Sequence, residues 1–432
     1  MATLAIPAAA PKDRLRGLFC TFLAVAMALS AFVPVDPAPV DFALLATVPL
    51  AFLLLRKRLL LDPRFQLVFI LLGLYLVANG LASLEAQDVG QALFFVAVSA
   101  YLMVAFLALS VVFDQHGAAV VRAAFNGYLA SALVSCVLGV LAFFGVGVVP
   151  WDLLMYGRIV AFFKDPNVFA PYLVPMCIYA LDRYRAEPGG RRKAGWLAAV
   201  CALNTTVLLC FSRAAWGNDL LALAVYLALR PPRLKSLVRP RTLIAFGAIV
   251  LFVAATAVVL LSSAAVNTVL VERLAPQAYD EDRFGTQRLA FETLLGSPLG
   301  IGPGQSELRF AYATHSLYVR LLVETGWAGA LTIVALLGVT VVRAVRLARR
   351  GPVEGRSLYA IAAASLCGLV LNSFVVDTLH WRHFWLLLAV AWGRYGAQGQ
   401  RFLETRSCAP EAPSLAMTPL TAPRQSLSAT VV

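Results

Sequence analysis

Twelve stretches of this chain are too apolar and too long to lie on the surface of a soluble domain. They run near 17–34, 40–55, 65–84, 92–113, 118–147, 167–182, 194–211, 213–230, 242–262, 314–342, 357–376 and 382–396. A helix needs about 20 apolar residues to cross the hydrocarbon core of a bilayer. In lipid a backbone can hydrogen-bond only to itself, which leaves helices and closed barrels as spanning structures. The stretches are continuous rather than alternating, so helices are expected. Of the 432 residues 60% are hydrophobic and 14% charged, whereas a soluble domain is about a quarter charged. The expected fold is an all-α integral membrane protein of about 12 transmembrane helices in a single polytopic domain, 1–406. The first stretch follows Lys12, Arg14 and Arg16 as a signal peptide would, but eleven more follow it, so it reads as the first transmembrane helix.

The net charge of +13 would suggest a nucleic-acid partner in a soluble chain. In a membrane protein, basic residues collect on cytoplasmic loops. With the N-terminus inside, 27 of the 36 Lys and Arg fall on the inner side. The predicted topology therefore has both termini in the cytoplasm and gives the charge no nucleic-acid role. Six of the seven cysteines lie in apolar stretches and no Cys-x-x-Cys occurs, so neither a disulfide framework nor a thiolate metal site is expected.

The other nine cations break the pattern: Arg158, Lys164, Arg213, Arg273, Arg283, Arg288, Arg309, Arg320 and Arg382. Most fall in two long outer loops, about 148–166 and 263–313, or at the helix ends beside the second. Thr286–Leu295 reads as a short amphipathic helix with Phe291, Leu294 and Leu295 on its apolar face, stopped by Gly296-Ser297-Pro298. The Ser-, Pro- and Thr-rich tail, 407–432, reads as a disordered cytoplasmic end. Arginine suits bidentate phosphate recognition and, on a water-facing membrane margin, can hold a lipid diphosphate. The plainer alternative for Arg273, Arg283 and Arg309 is pairing with Glu272, Asp280, Glu281, Asp282 and Glu307 in the same loop.

Arg213 stands where two apolar runs meet almost without a loop, in Phe211-Ser212-Arg213-Ala214-Ala215-Trp216. A cation at that depth is costly and is either functional, paired or reaching for headgroups. Asp219 follows in the next span and reads as structural. His315 opens an apolar run behind Thr314, a predicted N-cap that would set the imidazole in the first helical turn. The positive end of the helix dipole disfavours imidazolium there, leaving a ring able to accept a proton. Arg320 and Glu324, four apart, can pair. His380 and His383 with Asp377 have a weak metal-ligand spacing that interfacial aromatic anchors also show. Gly300-Ile301-Gly302-Pro303-Gly304 lacks the Lys-Ser/Thr of a P-loop and reads as a tight turn beneath the outer helix, open to substrate.

Three segments together resemble the O-antigen ligase and polymerase superfamily of bacterial membrane glycosyltransferases. Lys164-Asp165-Pro166-Asn167-Val168-Phe169-Ala170 is similar to the family's entry into a middle helix, and Ser212-Arg213-Ala214-Ala215 to its Ser-Arg segment. Gly300-Ile301-Gly302, then His315-Ser316 and, nine residues on, Gly326-x-x-Gly329 are similar to its Gly-Ile-Gly turn and histidine signature. The resemblance covers about 158–340. It implies a multi-pass protein of the bacterial inner membrane with one long periplasmic loop, 263–313, containing short helices. It implies a glycan donor on a polyprenyl diphosphate and an acceptor that is lipid A core or another glycan. The transfer it implies is inverting and uses no metal or other cofactor. Under it, His315 is the base, and Arg213 and Arg288 face the diphosphate, with Arg283 a rival to Arg288. Arg158, Lys164, Asn167 and Arg320 would help hold the substrate. Ala214 stands where the family usually has Gly. A ligase and a polymerase share this site, the modest outer loop favouring ligase. A lipid-linked sugar transporter is the reading from a different class, with Asp219 as its mid-span charge.

Overall fold

The computed structural model describes residues 11–35, 37–54, 62–146, 152–231, 278–312 and 314–395, and only the backbone of 11–13 and 278–284. The expected span at 242–262, Arg273, the side chain of Arg283 and the tail 407–432 lie outside the described residues. Apart from one small hairpin, the described chain is helical. Its helices are α1 (Pro11–Ala28), α2 (Pro39–Leu54), α3 (Pro63–Ala82), α4 (Val89–His116), α5 (Ala118–Phe143), α6 (Pro166–Ala186), α7 (Gly190–Leu209) and α8 (Arg213–Leu229). After them come α9 (Ala278–Gly296), the single turn α10 (Ser306–Arg309), α11 (Leu317–Arg350), α12 (Arg356–Asn372) and α13 (Arg382–Trp392). Between α5 and α6, β1 (Leu154–Met155) and β2 (Arg158–Ile159) pair antiparallel, Leu154 opposite Ile159.

Helix starts follow capping chemistry. Asp62, Asp88 and Asp165 accept the backbone N–H of Arg64, Gln91 and Asn167 at 3.0, 3.0 and 2.7 Å, and Pro63 and Pro166 open α3 and α6. Each carboxylate satisfies an N–H that the helix itself leaves unpaired. The proline at the first position gives up no helical hydrogen bond.

Among the described residues, four helical stretches are long and apolar enough to cross a membrane: Pro63–Glu85, Val89–His116, Ala118–Phe143 and Leu317–Arg350. The chain is thus an all-α protein suited to a bilayer, but four such stretches stand against the expected twelve. The reasons are physical. The expected spans at 40–55, 357–376 and 382–396 are helices of 16, 17 and 11 residues. The helices α6 and α7 devote one end to Arg183 and Arg185 and to Arg191, Arg192 and Lys193.

Burial separates inner from outer helices. In α12 every residue from Leu358 to Leu366 is buried, and in α13 every residue from His383 to Trp392. Helices apolar on all sides belong in an interior. The exposed large apolar residues gather instead on peripheral helices, among them Phe22, Phe52, Ile70, Phe94 and Leu331, a surface that water disfavours and lipid suits. Far from the start of α11, the N-terminus of α3 and the C-termini of α4 and α13 are clamped together. Arg394 bonds both oxygens of the fully buried Asp114 side chain at 2.9 and 2.7 Å, and Arg64 adds a contact at 3.3 Å.

Candidate functional site

The first long loop is organised by Arg158. It is only 4% exposed. Its Nε donates to the carbonyl of Cys210 at 2.8 Å, and its Nη2 to Oδ1 of Asn167 at 2.9 Å. Arg158 thus ties the hairpin to the start of α6 and to the last carbonyl region of α7, directly before Phe211-Ser212-Arg213. Phe211 takes a left-handed backbone, φ 46°. Ser212 then caps α8, accepting the Ala215 N–H at 3.4 Å. This sharp reversal sets Arg213 at the first position of α8 with its side chain exposed. Lys164 is exposed as well.

Backbone and packing contacts carry this corner to His315. A Cβ placed on Gly368 of α12 would stand 2.0 Å from Oδ1 of Asn218 in α8, so the two helices touch at backbone distance there. Leu371, one turn further along α12, meets Gly217. The helices run antiparallel in sequence, so the Arg213 end of α8 lies beside the Asn372–Ser373 end of α12. The carbonyl of Ser373 accepts the N–H of Leu317, the first residue of α11, at 2.9 Å. From the other side, Nε2 of Gln287 in α9 donates to the carbonyl of Thr314 at 3.2 Å. The start of α8, the end of α12, the residues around His315 and the middle of α9 are therefore joined by direct contacts.

His315 itself departs from its expected setting. The N-cap is Ser316, whose hydroxyl accepts the Val319 N–H at 3.5 Å, and not Thr314. His315 stands one residue outside the helix, exposed, at φ 48°. It precedes the positive helix end from one position beyond the cap. Arg288 is exposed, with 85% of its side chain open and an i,i+4 contact to Glu292 at 3.2 Å. Arg283 lies two turns or less from it along α9.

Arg320 takes a different part. Its side chain is 12% exposed and meets Glu324, Asp377 and Glu307 at 3.1, 2.8 and 3.4 Å, with the Phe95 ring 4.9 Å away. Glu324 also accepts the backbone N–H groups of Gly304 and Ser306 at 2.8 and 3.3 Å. The Gly300–Gly304 turn is built into this cluster and approaches α11 rather than open solvent. Gly326 breaks α11 at φ 63°, and the carbonyls of Val323 and Glu324 accept the N–H groups of Ile301 and Gly302 at 2.9 and 3.1 Å. A Cβ at Gly300 would lie 2.4 Å from the Glu324 carbonyl oxygen, and one at Gly326 2.3 Å from that of Pro298. Only glycine fits both positions.

The remaining candidates are engaged elsewhere. Arg382 is bound bidentately by Asp41 at 2.7 and 2.5 Å. His380 meets Ser99 at 3.1 Å and lies edge-on to Phe95, while His383 stacks on Trp381. Burial pushes the His380 imidazole down to about 4. Among the described residues no three His, Cys, Asp or Glu side chains are grouped for a metal. Sequence reasoning missed Gln287, Ser373 and the positioning role of Arg158, because their partners lie far away in the chain. No known family profile matches the chain, and no curated protein matches it in sequence.

Proposed function

We propose that this chain is an O-antigen ligase-like glycosyltransferase of the bacterial inner membrane, working at the periplasmic face with both termini in the cytoplasm. It moves a glycan from a polyprenyl diphosphate to an acceptor hydroxyl, on lipid A core or another glycan. The observation that supports this most is where the backbone is strained. The described residues other than glycine with a left-handed backbone are Tyr156, Ala161, Phe211 and His315. Each costs about 1–3 kcal/mol and persists only where the surroundings enforce it, as at functional sites. All four fall in the loops that carry the motifs. One is His315, and another is two residues before Arg213.

In the reaction, His315 takes the proton of the acceptor hydroxyl as its oxygen attacks the anomeric carbon from the face opposite the diphosphate. The bond from that carbon to the diphosphate oxygen breaks, and the lipid diphosphate leaves with the electron pair. Arg213 and Arg288 stabilise the charge that gathers there, which makes a metal unnecessary in this scheme. Lys164 helps hold the donor. Arg158 and Asn167 position the turn before Arg213, and Arg320 builds the seat of α11, so these three are assigned away from substrate contact. Purified protein in vesicles, supplied with a polyprenyl-diphosphate glycan and an acceptor, should form a new glycosidic bond and release polyprenyl diphosphate. Lipid-linked dimers of the repeat unit would reassign the protein as a polymerase. Movement of the donor across the bilayer without a new bond would make it a transporter.

A further inference from the structure

The helix α9 shows a face that its own packing leaves bare. Residues four apart on a helix share a face. Thr286, Ala290 and Leu294 are all buried and make up the inner row. Ala290 packs in a cluster with Val319 and Val323 of α11. The expected apolar face contained Phe291, Leu294 and Leu295, yet of these only Leu294 is covered. Phe291 is half-exposed and Leu295 is 86% exposed. Arg288 is three residues before Phe291 and seven before Leu295, so its guanidinium rises from beside them. Leu299, in the turn that follows, is half-exposed too.

What covers this face follows from where α9 sits. Leu299 lies against the break at Gly326, and past that break α11 shows Trp327 and Leu331, both more than half exposed. They belong to a stretch long and apolar enough to cross a membrane. The helix α9 therefore rests against the turns of α11 before the break, and the exposed Leu299 stands between it and the bare apolar surface that begins at Trp327. A tryptophan at this level marks the zone between acyl chains and headgroups. An arginine flanked by exposed apolar residues suits the same zone, stem in the apolar layer and guanidinium at the phosphates.

We infer that α9 is an interfacial helix: Phe291 and Leu295 lie in the leaflet at the Ser316 end of α11, and the lipid holds Arg288 at the level of the phosphate groups. The inference rests on the reading that α11 spans a membrane, and it adds a second role for the bilayer as the surface that sets the height of a site arginine. A lipid diphosphate would then meet Arg288 without leaving its own leaflet.

The test uses the full chain in vesicles of phosphatidylethanolamine and phosphatidylglycerol, spin-labelled after Leu295→Cys, Glu292→Cys or Leu331→Cys. The unsubstituted chain, labelled in parallel, supplies the background from native thiols. All three positions are exposed, so the fold tolerates the labels. Relaxation by oxygen, which concentrates in lipid, should exceed relaxation by a water-soluble nickel chelate several-fold at 295 and 331, with the reverse at 292. A label at 295 that answers to nickel while 331 answers to oxygen overturns the interfacial helix and leaves the membrane reading intact. A label at 295 reached by neither relaxant overturns it too, in favour of a protein surface, such as a second copy, against α9. Nickel access at both 295 and 331 would remove the membrane reading itself.

Discussion

The arginines of this molecule divide into two regions that treat the same side chain in opposite ways. At Asp114 and Glu324 the guanidiniums are drawn inside. Arg394 and Arg64 share a fully buried carboxylate, and Arg320 is ringed by three. Around His315 the cations stay outside: Arg213 is exposed, and Arg288 touches one half-exposed glutamate. A buried ion pair adds little net stability but is expensive to break, because its loss strands a charge in a poor solvent. An exposed pair is worth under about 1 kcal/mol. The buried set therefore fixes the helix ends, and the exposed set is the one that can exchange its present contacts for a substrate's.

The largest contrast is between activity and stability at the rim. His315→Ala and Arg213→Ala should each lower glycan transfer by about 10²–10⁴-fold, the range for removing a general base or an electrostatic stabiliser. The melting midpoint in detergent should stay close to that of the parent protein. Retained transfer at normal membrane levels in either variant removes that residue from the mechanism. A collapse in melting temperature would erase the division between the two regions.

Next comes the clamp. Asp114→Ala leaves Arg64 with Asp62 at 2.6 Å and Arg394 with only Asp62 at 4.0 Å, and should destabilise the protein by less than the about 3–5 kcal/mol of a fully stranded buried charge. Chemical denaturation in detergent would read this as an early transition. Asp114→Asn keeps the volume and one acceptor, and should recover part of the loss. A variant as stable as the parent would mean that the clamp is incidental to the fold.

How far the sequence led depends on how far away a residue's partners are. Hydropathy alone located α2 to α8, α12 and α13 to within about four residues, whereas α1 lies six residues earlier than expected and α11 runs eight further. Every residue in a span contributes to the hydropathy signal. It could not say which spans are inner, because α12 and α13 are short and owe their place to neighbours on every side. Local chemistry was also readable: the stop at Gly296-Ser297-Pro298 is where α9 ends. The fate of each arginine was not. Arg158 meets a carbonyl 52 residues on, Arg320 an aspartate 57 on, and Arg382 an aspartate 341 away. The N-cap was misplaced by two residues because Thr314 and Ser316 offer the same hydroxyl. Only the backbone turn at His315 separates them.

A smaller effect should come from His380, whose half-buried ring borders the Arg320 cluster. It is faced by Asp377, Arg320 and Arg382. Its imidazole titrates near 6.5 in an unfolded chain and is held down to about 4 in the fold, burial being the main cause. The unfolded state therefore binds the proton first. Stability from the neutral ring is complete above 6.5, declines as pH falls from 6.5 to about 4, and changes no further below that. Melting temperatures should fall in the parent protein as pH drops through this window, and the His380→Gln variant should show a shallower slope. An unchanged slope would place the acid sensitivity in other groups.

The smallest change is the sharpest test of the comparison. Glu292 pairs with Arg288, and both side chains are more than half exposed. Glu292→Gln should cost no more than about 0.5 kcal/mol, the usual worth of an exposed i,i+4 pair. Glu324 makes the same i,i+4 contact to Arg320 at nearly the same distance, 3.1 against 3.2 Å. There Glu324→Gln leaves Arg320 short of a charge inside the protein and should cost several times more. If Arg288 exchanges Glu292 for a lipid diphosphate, removing the competitor should also lower the KM for the donor a few-fold while kcat holds. Two glutamates at matched spacing and distance would then differ in both stability and donor affinity, and burial is what separates them. Equal losses of stability from the two substitutions would show that Arg288, like Arg320, belongs to the scaffold.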